Sequence, residues 1–223
     1  NNRVNRNAFT AICQGKLEPC IAHPNAAERK LFFLFDTVHL LKCIRNNWLG
    51  QLNNSHTFVC PGIVSHANMF AKFDDIRDLY HSERNSVIKL APSLTYKALY
   101  PNSIERQNVQ LALKIFDEKT AVALIEYGNQ NKICTSDAHV FICLVIKLWR
   151  ILNIKSVDKG VRKRDSDSEP IRADDDDRLV FLNDFYIWLV QWDSFGLQPR
   201  DGCLTSETMF ALKHTVVSAC LNY

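Results

Sequence analysis

Apolar side chains recur at helical spacing through most of this sequence, and this pattern limits the fold more than any other feature. From residue 69 onward, nearly every segment repeats apolar residues three or four positions apart, as expected for helices that bury one face. The 223 residues include only 7 Gly and 7 Pro, too few for the many turns of a β-sandwich or barrel. The sequence therefore predicts a mostly helical protein with some strand.

The first part of the chain has a different pattern, which predicts α/β structure. We expect a helix at residues 3–13, a loop around residues 18–29 and a buried strand at residues 31–36, where apolar and aromatic residues run together. A second short apolar run, at residues 57–60, predicts a returning edge strand.

The change of pattern divides the chain into two predicted parts. Residues 1–68 form the α/β part, and residues 69–223 form the helical part. The most apolar of the expected helices, at residues 135–153, is predicted to be central. The helices expected in the second part lie at residues 69–83, 103–128 with Gly128 as the stop, 135–153, 179–196 and 205–223.

Composition and short motifs exclude several classes of protein. The 8 Cys are scattered without any CxxC pair, which favours buried free thiols in a reducing compartment over disulfides or zinc. No GxSxG, P-loop or GxGxxG motif occurs. No run of 18 apolar residues occurs either, so we expect no membrane span. The net charge of +3 by itself predicts no partner.

A charged segment at residues 159–178 separates two of the helical patterns. Its first half is basic and its second half acidic, which is typical of a solvated loop. Two other interpretations stay open: the halves pair with each other, or Arg162, Lys163 and Arg164 contact DNA phosphates.

A lone carboxylate, Asp36, follows the apolar run and precedes a helix predicted at Thr37–Leu49. It is either the N-cap of that helix or a metal-binding group at the carboxyl end of a strand, where a hard oxygen ligand suits Mg²⁺. His39, Lys42 and Arg45 follow at i, i+3 and i+6. They form a basic edge, which is either a solvated face or a phosphate contact beside the carboxylate.

Several segments in order resemble P-element-type, THAP-domain-associated DDE transposases. The segment around Asp36 is similar to the one that carries the second acidic residue of their catalytic triad. The resemblance implies a partial RNase H-like catalytic fold at residues 1–68 and a mostly helical, GTP-binding insertion domain at residues 69–223. The segments that carry it are NNRVNRNAFTAIC, FDTVHLLKCIRNNWL, FDDIRDLYHSERNSVIKLAPSLTYKALYP, ERQNVQLALKIFDEKTAVALIEYG, SDAHVFICLVIKLWRILNIKS and LTSETMFALKHTVVSAC.

By this resemblance Asp36 is the second catalytic carboxylate and a Mg²⁺ ligand. The other two carboxylates are then expected just outside residues 1–223, so this chain alone is expected to be incomplete and inactive. Two Mg²⁺ ions would activate water or a 3′-OH at a phosphodiester in the full-length parent. The implied partners are transposon-end and target DNA together with further copies of the chain, and the implied location is the nucleus.

The resemblance also marks three positions at a nucleotide. Val109 falls where an apolar residue contacts GTP, and Ser93 falls where many relatives have Lys. Arg150 falls where the better-known members have Asp. An Arg cannot accept a hydrogen bond from a guanine edge, although it could meet a phosphate, so we expect weak or absent GTP binding. Two alternatives to a transposase stay open: a domesticated, non-catalytic DNA- or protein-binding module, and an unrelated helical interaction domain.

Overall fold

Helices dominate the computed structural model, which describes residues 3–53, 55–63, 67–131, 136–154, 156–172, 176–195 and 201–222. Across these ranges the strands form two separate antiparallel pairs. No described helix is both long and apolar enough to cross a membrane. The elements are α1 (Arg3–Ile12), β1 (Cys20–His23), β2 (Ala26–Phe32), α2 (Thr37–Leu49), β3 (Thr57–Cys60), β4 (Met69–Lys72), α3 (Phe73–Ser82), α4 (Tyr96–Leu99), α5 (Val109–Ile115), α6 (Glu118–Asn131), α7 (Ala138–Leu152), α8 (Val157–Lys163), α9 (Asp177–Ser194) and α10 (Ser206–Asn222), with short 3₁₀ turns at Glu105–Gln107 and Ser166–Ser168.

The first strand pair is a hairpin that corrects two predictions. The expected loop at residues 18–29 contains β1 and most of β2, which pair antiparallel with Cys20 opposite Phe32. The expected strand at residues 31–36 is wrong in its bounds, because β2 ends at Phe32. Most of β2 is exposed to solvent, so it lacks the alternation of apolar and polar residues that marks a half-buried strand.

The second strand pair joins the two predicted parts of the chain. The edge strand expected at residues 57–60 is confirmed as β3, and it pairs with β4, with Cys60 opposite Met69. Residues 69–72 were expected to be helical, but their side chains alternate between buried and exposed, as a strand requires. The predicted division between residues 68 and 69 therefore falls directly before a strand that pairs back across it.

The core is continuous across the same division. Trp48 of α2 is completely buried, and its indole N–H donates to the carbonyl of Ala71 in β4 at 2.9 Å. Its ring stacks on Phe58 at 5.9 Å between centroids and meets Phe141 of α7 edge-on at 4.9 Å. Helix α7 is central, as predicted, and packs against α2, α3, α6 and β4.

Two other predicted segments differ from the structure. The helix expected at residues 103–128 is divided into α5 and α6, and Asp117 caps α6 by accepting the N–H of Lys119 at 3.1 Å. Gly128 does not end α6 but lies buried within it. The loop expected at residues 159–178 includes most of α8, a 3₁₀ turn and the start of α9, while residues 173–175 lie outside the described residues.

Candidate functional site

Asp36 is held at the start of α2 by contacts on both of its sides. It is the N-cap of the helix: its Oδ1 accepts the N–H of Val38 at 3.0 Å, and its carbonyl accepts the N–H of Leu40 at 3.0 Å. The preceding residue, Phe35, is buried, and its N–H donates to Oγ1 of Thr215 in α10 at 3.1 Å. The N-cap interpretation is therefore confirmed, and the position of the carboxylate is fixed by α2 and α10 together.

The Asp36 carboxylate also remains accessible from solvent. The side chain is exposed, and its second oxygen accepts no hydrogen bond from the described residues. A hard, anionic oxygen of this kind suits Mg²⁺, so Asp36 fits the role of one metal ligand. In the described part of the chain, no three His, Cys, Asp or Glu side chains group together so that they could hold a metal. The further ligands of such a site would have to come from elsewhere.

His39 and Lys42 lie on α2 beyond Asp36, and both are partly exposed. The pKa of His39 is lowered by partial burial first and by the charge of Lys42, while Asp36 opposes this shift. Near neutral pH the imidazole is therefore mainly uncharged, and Lys42 is the remaining cation of this part of α2.

The predicted basic edge is wrong at Arg45, because this side chain lies inside the protein. Its Nη2 donates to the carbonyl of Arg106 at 2.9 Å and reaches that of Glu105 at 3.5 Å. Its Nε and Nη1 have no hydrogen-bond partner among the described residues. Burial, and then the charge of Arg106, lowers the pKa of Arg45 to about 10. Arg45 thus joins α2 to the turn before α5 and does not share a surface with His39 and Lys42.

Arg45→Met is expected to change the free energy of unfolding by less than about 1.5 kcal/mol, because it fills similar space and removes a buried charge. The carbonyl of Arg106 keeps a donor, since Asn46 Nδ2 lies 3.2 Å from it. Arg45→Ala instead leaves a cavity and should cost about 2–5 kcal/mol. Urea unfolding of both variants measures the difference. Equal losses for Met and Ala would show that the hydrogen bonds of the guanidinium, and not its packing, matter here.

Arg150 lines a cavity of about 490 Å³ at the carboxyl end of α7. Its Nη1 lies 2.8 Å from Oε1 of Glu118 at the start of α6, and its Nε lies 3.5 Å from Oδ2 of Asp165, after α8. The hydrogen bond to Glu118, followed by the charge of Asp165, raises the pKa of Arg150. Neither carboxylate could be predicted from the sequence as a partner of Arg150, because both come from other elements. Trp149, Asn153, Lys163 and Arg164 also line the cavity.

The structure does not bring the other two predicted nucleotide contacts to this cavity, since neither Ser93 nor Val109 lines it. Ser93 lies before α4, and its Oγ is buried without a hydrogen-bond partner among the described residues. Val109 begins α5 and packs partly buried against the core, where Asn108 caps the helix. Arg150, for its part, is already paired with carboxylates. The cavity at Arg150 thus includes neither Ser93 nor Val109, and the nucleotide contacts of all three residues stay a prediction.

One solved structure has a similar fold. It is described as "Drosophila P element transposase strand transfer complex", and the match has a TM-score of 0.70 at 18% sequence identity. The match covers 97% of this chain but 45% of that chain, so this chain spans less than half of the length of its structural neighbour. No family model matches the sequence, and no curated protein matches it significantly. At this identity the similarity shows a shared fold.

Proposed function

We propose that this chain is the central part of a P-element-like DNA transposase, in which Asp36 is one of the metal-binding carboxylates. The observation that carries the proposal is the fold match, which extends over 97% of the chain to a part of a P element transposase. The sequence resemblance around Asp36 supports it independently. In this proposal the β1–β2 hairpin and α2 belong to an RNase H-like catalytic domain, and the later helices form an inserted domain.

Asp36 suits this role because it is exposed and yet fixed in place by α2 and α10. Bound Mg²⁺ would supply Lewis-acid chemistry at the phosphodiester. The chain itself would contribute an oriented carboxylate oxygen, with Lys42 on the same helix as a contact for a neighbouring phosphate. The remaining carboxylates would come from parts of the protein outside this chain, which alone would be inactive.

DNA is the partner in this proposal, and the nucleus is the corresponding location. Further copies of the chain are proposed partners in the assembled complex. A domesticated relative that binds DNA or protein without catalysis would share the same fold. The two functions differ in whether the carboxylate of Asp36 is needed for chemistry.

The direct test is DNA cleavage and joining by the full-length protein that contains this chain. We expect a labelled DNA end to be joined to a target duplex in the presence of Mg²⁺ and not after chelation with EDTA. A full-length protein that binds DNA but never cleaves or joins it, under any divalent cation, would contradict the transposase proposal and favour the non-catalytic module.

GTP is expected to bind this chain weakly or not at all. Arg150 offers no acceptor for guanine, and its ion pairs with Glu118 and Asp165 occupy the cavity carboxylates that could accept. Isothermal titration with GTP and Mg²⁺ should give only heats of dilution, with ATP as the control nucleotide. Low-micromolar affinity for GTP that is lost in Arg150→Gln would show instead that Arg150 contacts a phosphate.

A further inference from the structure

The loop between α3 and α4 presents two aliphatic side chains to solvent. Val87 is 102% and Ile88 is 86% exposed, and they are adjacent in sequence. Single exposed aliphatic residues are common on protein surfaces. Two neighbouring ones at a loop tip form a small apolar protrusion.

The base of this loop is held by hydrogen bonds to Glu83. Glu83, at the end of α3, is buried, and its two carboxylate oxygens accept the N–H groups of Leu90 at 2.5 Å and Ala91 at 3.2 Å. The N–H of Ser86 donates to the carbonyl of Glu83 at 3.0 Å. The buried carboxylate of Glu83 therefore joins the first end of the loop to the last. Ala91, at the last end, is part of the core.

Positive charges flank the two aliphatic residues. Arg84 and Lys89 are both exposed, and Nζ of Lys89 lies 5.8 Å from the centre of the Tyr80 ring. Residues 84–89 include no acidic residue, and the nearby carboxylate of Glu83 is occupied by backbone N–H groups. The loop tip, residues 84–89, therefore combines an apolar wedge with a cation on each side.

We propose that the loop tip docks on duplex DNA, with Val87 and Ile88 inserted as a wedge in the minor groove and with Arg84 and Lys89 at the flanking phosphates. Proteins that bend DNA insert aliphatic side chains between base steps in this way, and the phosphates supply the charge that complements the two cations. An apolar pocket on a protein would complement the two cations only if it also had carboxylates at its rim, whereas every duplex has phosphates beside its minor groove. This inference rests on the proposed function, because it takes DNA as the partner.

The test measures binding of the 223-residue chain to a short duplex that carries 2-aminopurine at a central TA step, which kinks easily. Wild type should raise the 2-aminopurine fluorescence by unstacking this step. The double variant Val87→Ser/Ile88→Ser should bind about tenfold more weakly, because two aliphatic side chains no longer leave water, and it should not raise the fluorescence. Val87→Leu/Ile88→Leu should retain both effects.

One further variant tests the two cations of the loop tip, and another is a control for the loss of an exposed aliphatic residue elsewhere. Arg84→Gln/Lys89→Gln should make the slope of log K against log salt shallower by about 1.8, which corresponds to two phosphate contacts. Leu52→Ser is the matched control, because Leu52 is an equally exposed aliphatic residue in another loop (97%). This variant should bind like wild type.

Each contrary result has a distinct meaning. If Val87→Ser/Ile88→Ser binds and unstacks DNA like wild type, the proposed insertion of these two side chains in the minor groove is wrong. The transposase proposal is not affected by this result. If the double variant changes only self-association, measured by analytical ultracentrifugation, the tip is a protein contact and the wedge is again wrong. If the wild-type chain binds no duplex at low salt, the wedge fails, whereas the transposase proposal is decided separately by strand transfer in the full-length protein.

Discussion

Asp36→Asn should lower DNA strand transfer by the full-length protein at least about 100-fold, because removing a ligand for a catalytic metal costs several kcal/mol of transition-state stabilisation. It should leave the free energy of unfolding within about 0.5 kcal/mol of wild type, since Asn caps helices as well as Asp does. Its amide oxygen can still accept the N–H of Val38, as Oδ1 of Asp36 does at 3.0 Å. The experiment pairs a joining assay in Mg²⁺ with urea unfolding.

Asp36→Ala and a second capping residue complete this test. Asp36→Ala should be as inactive as Asp36→Asn and should also lose about 1 kcal/mol of stability, because the cap itself is removed. Asp117 caps α6 through the N–H of Lys119, so Asp117→Asn is a matched control that should keep its activity. Full activity in Asp36→Asn would mean that Asp36 is a helix cap alone, and the catalytic assignment would be withdrawn.

Trp48→Ala should lower the free energy of unfolding by about 3–5 kcal/mol, as expected for a large aromatic residue in a packed core. The loss also includes the hydrogen bond from the indole to Ala71, typically worth about 1 kcal/mol. Domains of this kind have a total stability of only about 5–15 kcal/mol. Trp48 touches rings on both sides of the predicted division, Phe58 before it and Phe141 after it.

Because of these contacts, we expect residues 1–68 and 69–223 to unfold in one transition. Circular dichroism and tryptophan fluorescence in urea should therefore give the same midpoint for wild type, and the same lower midpoint for Trp48→Ala. Leu52→Ala, at a 97% exposed position, is the control and should unfold like wild type. Two separate transitions, with only one shifted by Trp48→Ala, would show that the two parts are independently stable domains.

Local signals explain what the sequence predicts well. The helix predicted at Thr37–Leu49 has the observed bounds. Its N-cap and its apolar spacing are local signals, since each depends only on residues a few positions apart. Helix α7 was expected to be central because it is apolar nearly all round, and it is. The metal-binding role of Asp36 stays a prediction, since a carboxylate that caps a helix and one that binds Mg²⁺ look alike in sequence.

The sequence by itself determined the bounds of α2, the position of Asp36 directly before it and the central place of α7. Only the tertiary structure decided which elements pair, that Arg45 is buried, and that Glu118 and Asp165 meet Arg150. The physical reason is the separation along the chain over which each interaction acts. Capping and helical periodicity act over neighbouring residues, whereas strand pairing, burial and ion pairs depend on contacts between segments far apart in the chain, which a local pattern does not encode.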